Sequence, residues 1–293
     1  MCIRDSNEQI LIYQSMLGAW PIELDRLKQY VTKALREAKT HTSWIDINEK
    51  YEEQALSFVD SLYSNETFLE DFGRLHKKIA YFGALSSLSQ LILKITSPGV
   101  PDLYRGTELW DLSLADPDNR RPVDFSTRQK IFNEVKNETK LAGLLKRYSD
   151  GRLKMFVTWK ALQFRRTHSD LFTEGEYIPL RVKGAQSNHV IAFARYLHKR
   201  WCIVAVPRLF ASLNRAGSAP IGEKIWGDTQ IELPPRIPER ARNVFTNEEI
   251  STRMASDLFA TLPFAVCSGL SEQRTSKHHT GNAEIDDESR HVN

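Results

Sequence analysis

Thr96-Ser97-Pro98-Gly99-Val100-Pro101-Asp102-Leu103-Tyr104-Arg105-Gly106 stands where one kind of sequence gives way to another. Before it, Tyr81 to Ile95 is apolar almost all round, the mark of a helix buried on most sides. Pro98 and Gly99 stop that helix. Val100 to Tyr104 is short and apolar and reads as a strand, so helix, tight turn and strand make the closing step of an α/β barrel or sheet. Gly106 to Asp124 follows as a long loop rich in proline and aspartate, and loops of that length in compact domains are usually functional. A loop leaving the C-terminal end of a barrel strand lies where barrel enzymes build their active sites.

Working outward, the residues upstream read as helical. Ile10, Tyr13, Leu17 and Trp20 share one face, and Ser6 is placed to cap that helix. Leu24, Leu27, Val31, Leu35 and Ala38 repeat with helical period after Pro21. His41 to Asn48 is aperiodic and reads as a connection; a further helix carries Ala55, Phe58, Val59 and Leu62, and the next runs from about Asp71 to Ile95. Downstream, residues 126–169 return to helical patterns. From Leu171 short β-rich runs, Tyr177 to Val182, His189 to Tyr196, Trp201 to Val206 and Gln230 to Leu233, are separated by Gly, Asn, Pro and Ser. That spacing predicts a small antiparallel β domain over 171–267, and the polar stretch 268–293 reads as a disordered tail.

Composition sets bounds. The 293 residues carry 40 Lys+Arg against 37 Asp+Glu, too even a balance for a nucleic-acid-binding surface. No uninterrupted apolar run approaches the roughly 20 residues that span a bilayer, so neither nucleic acid nor membrane is expected as a partner. Cys2, Cys202 and Cys267 are widely spaced and odd in number, which argues against a disulfide framework and for a cytoplasmic setting. Met1 to Ser6 lacks the apolar core of a signal peptide. No glycine-rich phosphate loop occurs, and Asp116-x-Asp118-Asn119 lacks the glycine and closing glutamate of a calcium loop, so no cofactor or metal is expected.

The chemistry concentrates in the loop. Asp102, Tyr104, Glu108, Trp110, Asp118, Asn119, Arg120 and Arg121 combine acids, amide, guanidinium groups and aromatics. Sugars need such a set: hydroxyls take bidentate donors and acceptors, and an apolar ring face stacks on an aromatic. The same residues also suit a loop merely tied together by ion pairs and turn caps, and the residues alone leave both readings open. His41-Thr42-Ser43-Trp44 is a second polar and aromatic cluster, either an active-site loop or a helix cap formed by Thr42 or Ser43. Lys146-Arg147 and Arg165-Arg166 read as solvated helix faces.

The full stretch Thr96 to Trp110, followed by Asp116-Pro117-Asp118-Asn119-Arg120-Arg121-Pro122-Val123-Asp124, resembles the malto-oligosyltrehalose synthase family of the α-amylase superfamily. Leu17-Gly18-Ala19-Trp20-Pro21 and Lys33 to Trp44 are similar to it too, and Arg195, Pro207-Arg208 and Leu262-Pro263 more loosely. The resemblance implies a (1→4)-α-D-glucan 1-α-D-glucosylmutase, an intramolecular transglycosylase of trehalose biosynthesis. Such an enzyme turns the reducing-end α-1,4 linkage of a malto-oligosaccharide into an α,α-1,1 linkage. It implies that 7–170 is the C-terminal, mostly helical remainder of a (β/α)8 TIM barrel with a helical insertion, followed by a small β-sandwich over 171–267. Residues 1–6 match nothing in the family and are set apart as a disordered or artefactual lead. The superfamily's catalytic Asp, Glu and second Asp lie on earlier barrel strands, so no catalytic residue is assigned and the chain is expected to be inactive without an N-terminal part of the barrel. Asp102, Tyr104, Glu108, Asp118, Asn119, Arg120 and Arg121 are implied to line the malto-oligosaccharide pocket. A non-catalytic carbohydrate-binding module and a related hydrolase that releases trehalose are the alternatives.

Overall fold

A computed structural model describes residues 6–269. Four helices come first: α1 (Ser6–Ala19), α2 (Leu24–Ala38), α3 (Glu49–Tyr63) and α4 (Glu66–Thr96). In α2 the buried residues are Leu27, Val31 and Leu35, one per turn on a single face. Asn48 and Asn65 cap α3 and α4 by accepting from the Tyr51 and Phe68 backbone N–H groups. Ile12, Met16, Leu27, Val31, Val59 and Phe72 form the core of this bundle.

Helix α4 joins the two halves of the molecule. At 31 residues it is about 46 Å long. Phe72 packs into the bundle core, Tyr81, Phe82 and Leu85 meet Phe210, and Leu88 to Ile95 enter the core beneath the sheet. It is long and apolar enough to cross a membrane by length and composition, which the broken apolar runs of the sequence did not suggest; half of its apolar window is buried inside the protein.

The stretch after α4 departs from expectation. Val100 to Tyr104 is not a strand: it pairs with no strand among the described residues, and Val100 is 94% exposed. A short apolar run becomes a strand only where a neighbour accepts its ladder, and Pro98 and Pro101 remove two donors. Residues 97–124 instead form an irregular loop with one 3-10 turn at Asp118–Arg120. Helices α5 (Phe125–Val135), α6 (Leu141–Lys146), α7 (Arg152–Thr167) and α8 (Ser169–Thr173) follow. Arg165 on α7 is not a solvated residue as the sequence suggested. Its guanidinium donates to the carbonyls of Ile95 (2.6 Å), Ser97 and Gly99, and so satisfies the end of α4.

The β region is a six-stranded antiparallel sheet in the order β1-β3-β4-β8-β6-β7. Its strands are β1 (Glu176–Pro179), β3 (Val190–Leu197), β4 (Arg200–Pro207), β6 (Arg240–Asn243), β7 (Glu249–Ser251) and β8 (Ala265–Ser268). Alternation sorts the side chains of β3, β4 and β8. Phe193, Cys202, Val204, Val206 and Val266 face α4 and α7, while Ala192, Ala194, Ile203, Ala205 and Cys267 face the other way. That second face is covered by the two-residue strands β2 (Val182–Lys183) and β5 (Gln230–Ile231), and by the one-turn helices α10 (Glu223–Trp226) and α11 (Ala255–Leu258), through Ile231, Trp226 and Leu258. Helix α9 (Phe210–Leu213) brings Phe210 to α4.

One core therefore contains residues from both sides of the 170/171 junction. Arg195 of β3 is 1% exposed and donates to the carbonyls of Phe172 (2.9 Å) and Gly175 (2.7 Å), fastening the end of α8 to the sheet. The expected start of the tail shifts: Ser268 belongs to β8, is buried, and donates to the Trp201 carbonyl. The rest of the expected tail, 270–293, and the lead 1–5 lie outside the described residues. Ser6, expected in the lead, begins α1.

Candidate functional site

The loop 97–124 is held by cations from three helices, α2, α5 and α7. On the α2 side, the Arg26 guanidinium grips Asp118 with Nε–Oδ1 at 2.7 Å and Nη2–Oδ2 at 2.9 Å, and also donates to the Leu112 carbonyl. The Leu114 N–H donates to the same carboxylate at 2.6 Å. Burial opposes the charge on Asp118, but Arg26, the Leu114 amide and Arg121 outweigh it and hold the carboxyl below its ordinary range. Lys33, two turns further along α2, donates to the Asp116 carbonyl.

On the other side, Arg128 of α5 donates to the carbonyls of Gly106 (2.7 Å) and Asp124 (3.1 Å) and lies 3.3 Å from Glu108. Gly106 sits at φ +89, a conformation that favours glycine, and a Cβ there would press on Val123 at 3.1 Å and Arg128 at 3.3 Å. Asp124 caps α5. Hydrogen bonds from the Ser126 and Thr127 hydroxyls and the Thr127 amide push its carboxyl far below the ordinary range.

The floor of the loop rests on α7. Lys154 donates to the Leu109 carbonyl at 3.0 Å and lies 5.0 Å from the centroid of the Trp110 ring. Burial lowers its amine pKa. Trp110 Nε1 donates to the Tyr148 carbonyl at 2.7 Å. Gly151, at φ +77, starts α7 close under Leu109, where a Cβ would stand 3.0 Å from that side chain.

The seven residues singled out in the loop fall into different positions. Asp102 and Tyr104 are exposed, Tyr104 by 46%, and face solvent. Glu108 is half-buried beside Arg128. Asp118 is the anchor gripped by Arg26. Arg121 donates to the Asp118 carbonyl at 3.0 Å and to Ser113 Oγ at 3.1 Å. Arg120 pairs with Asp116 and remains exposed. The Oδ1 of Asn119 is buried without a hydrogen-bond partner, an unused acceptor inside the loop. The two readings left open by the sequence thus divide the loop between them: Asp116, Asp118 and Arg121 hold it together, while Asp102, Tyr104 and Arg120 present polar and aromatic groups to solvent.

The second cluster lies along the same helix. Arg36 of α2 forms a bidentate pair with Glu52 at 2.8 and 2.7 Å, and its guanidinium carbon stands 5.0 Å from the centroid of the Trp44 ring. Thr42 Oγ1 donates to Glu52 at 2.7 Å. The Arg36 hydrogen bonds, helped by Thr42 against burial, hold the Glu52 carboxyl below its ordinary range. Trp44 is 55% exposed above this pair. Ser43 does not cap a helix: its Oγ accepts from the Ile45 and Asp46 N–H groups and closes the turn, while Asn48 caps α3. Arg26, Lys33 and Arg36 share one side of α2, which therefore carries both clusters. Nothing local in the sequence singled out Arg26, Arg128 or Lys154, because the loop groups Asp118, Glu108 and Leu109 that they hold lie 20 to 92 positions away. Among the described residues no group of three His, Cys, Asp or Glu is placed to hold a metal ion.

An arginine-clamped polar and aromatic loop, on a helical layer that shares its core with an antiparallel sheet, is an α and β architecture with a surface suited to hydroxyl-rich ligands. Comparison with known proteins shows what the chain is similar to. No family model matches the chain. A putative maltooligosyl trehalose synthase of Mycobacterium tuberculosis is 33% identical over 259 residues, 86% of this chain and 30% of that protein. The solved maltooligosyltrehalose synthase of Arthrobacter ramosus is 33% identical with a TM-score of 0.74, over 89% of this chain and 32% of that one. The Sulfolobus tokodaii hypothetical maltooligosyl trehalose synthase is 31% identical with a TM-score of 0.67, over 91% and 32%. The chain spans about a third of the length of these relatives and matches their C-terminal part. Its likeness to malto-oligosyltrehalose synthases, first carried by the loop, is borne out in sequence and in structure.

Proposed function

We propose that this chain serves a malto-oligosyltrehalose synthase, the glucosylmutase that moves the reducing-end linkage of a malto-oligosaccharide from α-1,4 to α,α-1,1, and that the loop 97–124 is one wall of its glucan site. The observation that carries the reading is the set of hydrogen bonds that clamp the loop. Arg26, Arg128 and Lys154 fix its backbone from two sides, so that Asp102, Tyr104 and Arg120 meet a sugar without first paying the entropy of ordering. In this family's chemistry the released glucose must turn in place before it attacks through its anomeric hydroxyl. A rigid wall that keeps the glucose in and water out favours isomerisation over hydrolysis.

In the same proposal, 7–170 belongs to a (β/α)8 barrel and 171–267 to an appended β domain whose second layer is the β2–β5 pair with its flanking turns. The setting in the same proposal is cytoplasmic, as the three widely spaced cysteines of the sequence suggest.

Titrating the chain with maltopentaose, and following reducing ends in the same mixture, tests the reading. Saturable binding that weakens about tenfold in Tyr104→Ala, as loss of a stacking aromatic predicts, supports the loop as the sugar wall. Binding that survives both Tyr104→Ala and Asp102→Ala removes the loop from the site. Loss of reducing ends would give the chain turnover of its own, whereas binding without turnover leaves it the role of a glucan-binding wall.

A further inference from the structure

A second groove lies between the C-terminal half of α7 and the end of strand β6. Its volume is about 300 Å3, and its lining includes Trp159, Lys160, Gln163, His168, Arg242 and Asn243. Two of these are buried polar side chains, Asn243 at 4% and His168 at 8% exposure. Buried polar groups in a folded protein are normally paired, so what they point to carries information.

The charge at the groove is one-sided. Asn243 Oδ1 already accepts from the Phe245 N–H at 2.9 Å and the Thr246 N–H at 3.4 Å, so the free end of its amide is the donor end. Arg242 Nη1 donates to the backbone carbonyl and Oδ1 of Asn247, both at 3.2 Å, which fixes the guanidinium and leaves its other N–H groups for a ligand. Lys160 adds an ammonium, 5.0 Å from the centroid of the Trp159 ring. His168 is packed against Phe164 with ring centroids 4.9 Å apart. No carboxylate lines the groove; the nearby Asp170 is paired with Arg200. Gln163 and Thr167, which can accept as well as donate, also line the groove, but its charged side chains are the two cations Arg242 and Lys160, with no anion to neutralise them.

We propose that this groove binds a small phosphate monoester of about sugar-phosphate size. The phosphoryl oxygens, more numerous than those of a carboxylate, would be held by Arg242, Lys160 and the Asn243 amide, with the Trp159 ring as the apolar wall for the body of the ligand. The site stands on its own and does not rest on the glucan reading of the loop.

Calorimetric titration of the full 293-residue chain with glucose 6-phosphate, inorganic phosphate and glucose tests it. Glucose 6-phosphate is expected to bind saturably, inorganic phosphate more weakly, and glucose without measurable heat. Arg242→Ala is expected to weaken glucose 6-phosphate about tenfold or more, the usual effect of losing a charge-assisted bond. Arg242 is exposed, so an unchanged thermal unfolding curve separates this loss from misfolding. Lys160→Gln should weaken binding and flatten its salt dependence, while Tyr104→Ala should leave it unchanged. Absence of binding, glucose binding as tightly as its phosphate, or an Arg242→Ala chain with unaltered affinity would each overturn the proposal.

Discussion

The sheet and the loop are held by opposite means. Strands β3, β4 and β8 are fixed by alternation: every second side chain enters one apolar core and the rest enter another, so both faces are dry and the register cannot slip without reversing them. The loop 97–124 has no ladder, and although Leu103, Leu109, Trp110 and Leu114 pack against the cores, none of its apolar side chains is fully buried. Its backbone carbonyls are satisfied one at a time by Arg26, Lys33, Arg105, Arg128, Lys154 and Arg165, each reaching in from a distant element or across the loop. The sheet resists disturbance through area removed from water; the loop resists it through a few charge-assisted bonds. Substitution should therefore damage the sheet steeply and cooperatively, and the loop locally.

The largest effect belongs to the sheet. Phe193 is 1% exposed and its ring lies 4.8 Å from that of Tyr177. Phe193→Ala should cost about 3–5 kcal/mol, transfer and cavity together, read as a fall in the urea midpoint with unchanged slope. A loss under 1 kcal/mol would show that the sheet does not depend on its helix-facing core and would break the comparison.

The next effect belongs to the loop's anchor. Arg26→Ala leaves Asp118, a largely buried carboxylate whose side chain is 14% exposed, without its bidentate partner. The expected cost is about 2 kcal/mol, together with new protease cleavage confined to 105–121. If cleavage spread into the sheet instead, loop and core would be one cooperative unit.

Acid should divide the regions in the same way. Hydrogen bonds from Arg36 hold Glu52 below the ordinary range, and Arg26 with the Leu114 amide does so for Asp118 against the opposing effect of burial. A carboxyl whose pKa is depressed in the folded state stabilises the fold above its unfolded value, near 4. That contribution is lost as pH falls through the folded value. Trp44 emission and loop proteolysis should therefore change below about pH 4, before the sheet unfolds. The neutral sheet thiols make the contrast: burial pushes Cys202 up to about 12, so it should not react with thiol reagents at pH 8 while the fold holds. Rapid labelling of Cys202 at that pH would mean the sheet opens as readily as the loop.

What could be read from the sequence follows the same division. Helices α2 and α3 were legible because period and burial coincide, as in Leu27, Val31 and Leu35, and strands β3 and β4 because their β-rich runs are bounded by turn residues. Val100 to Tyr104 misled because an apolar run states a preference, while a strand is a relation to a neighbour. Strand β6 escaped notice because Arg240 and Arg242 occupy its exposed positions and leave only Ala241 and Asn243 to signal burial. Within the loop the residue types suited to sugars were legible. Which of them face outward was not, because that depends on Arg26 gripping Asp118 and Arg128 reaching Gly106, contacts that lie outside any local window.

The smallest stability effect gives the sharpest test. Tyr104 is exposed and only its backbone is engaged, its carbonyl accepting from the Thr107 N–H and hydroxyl. Removing its ring should alter stability by no more than about 0.5 kcal/mol, as at other surface positions. Arg26→Ala, by contrast, should alter stability and maltopentaose binding together, since it removes the support and with it the geometry of the wall. A binding loss in Tyr104→Ala without a stability loss, set beside a coupled loss in Arg26→Ala, would separate the ring that meets the sugar from the clamp that presents it. Equal behaviour of the two variants would mean that the loop's exposed face is no more than the outer side of its scaffold.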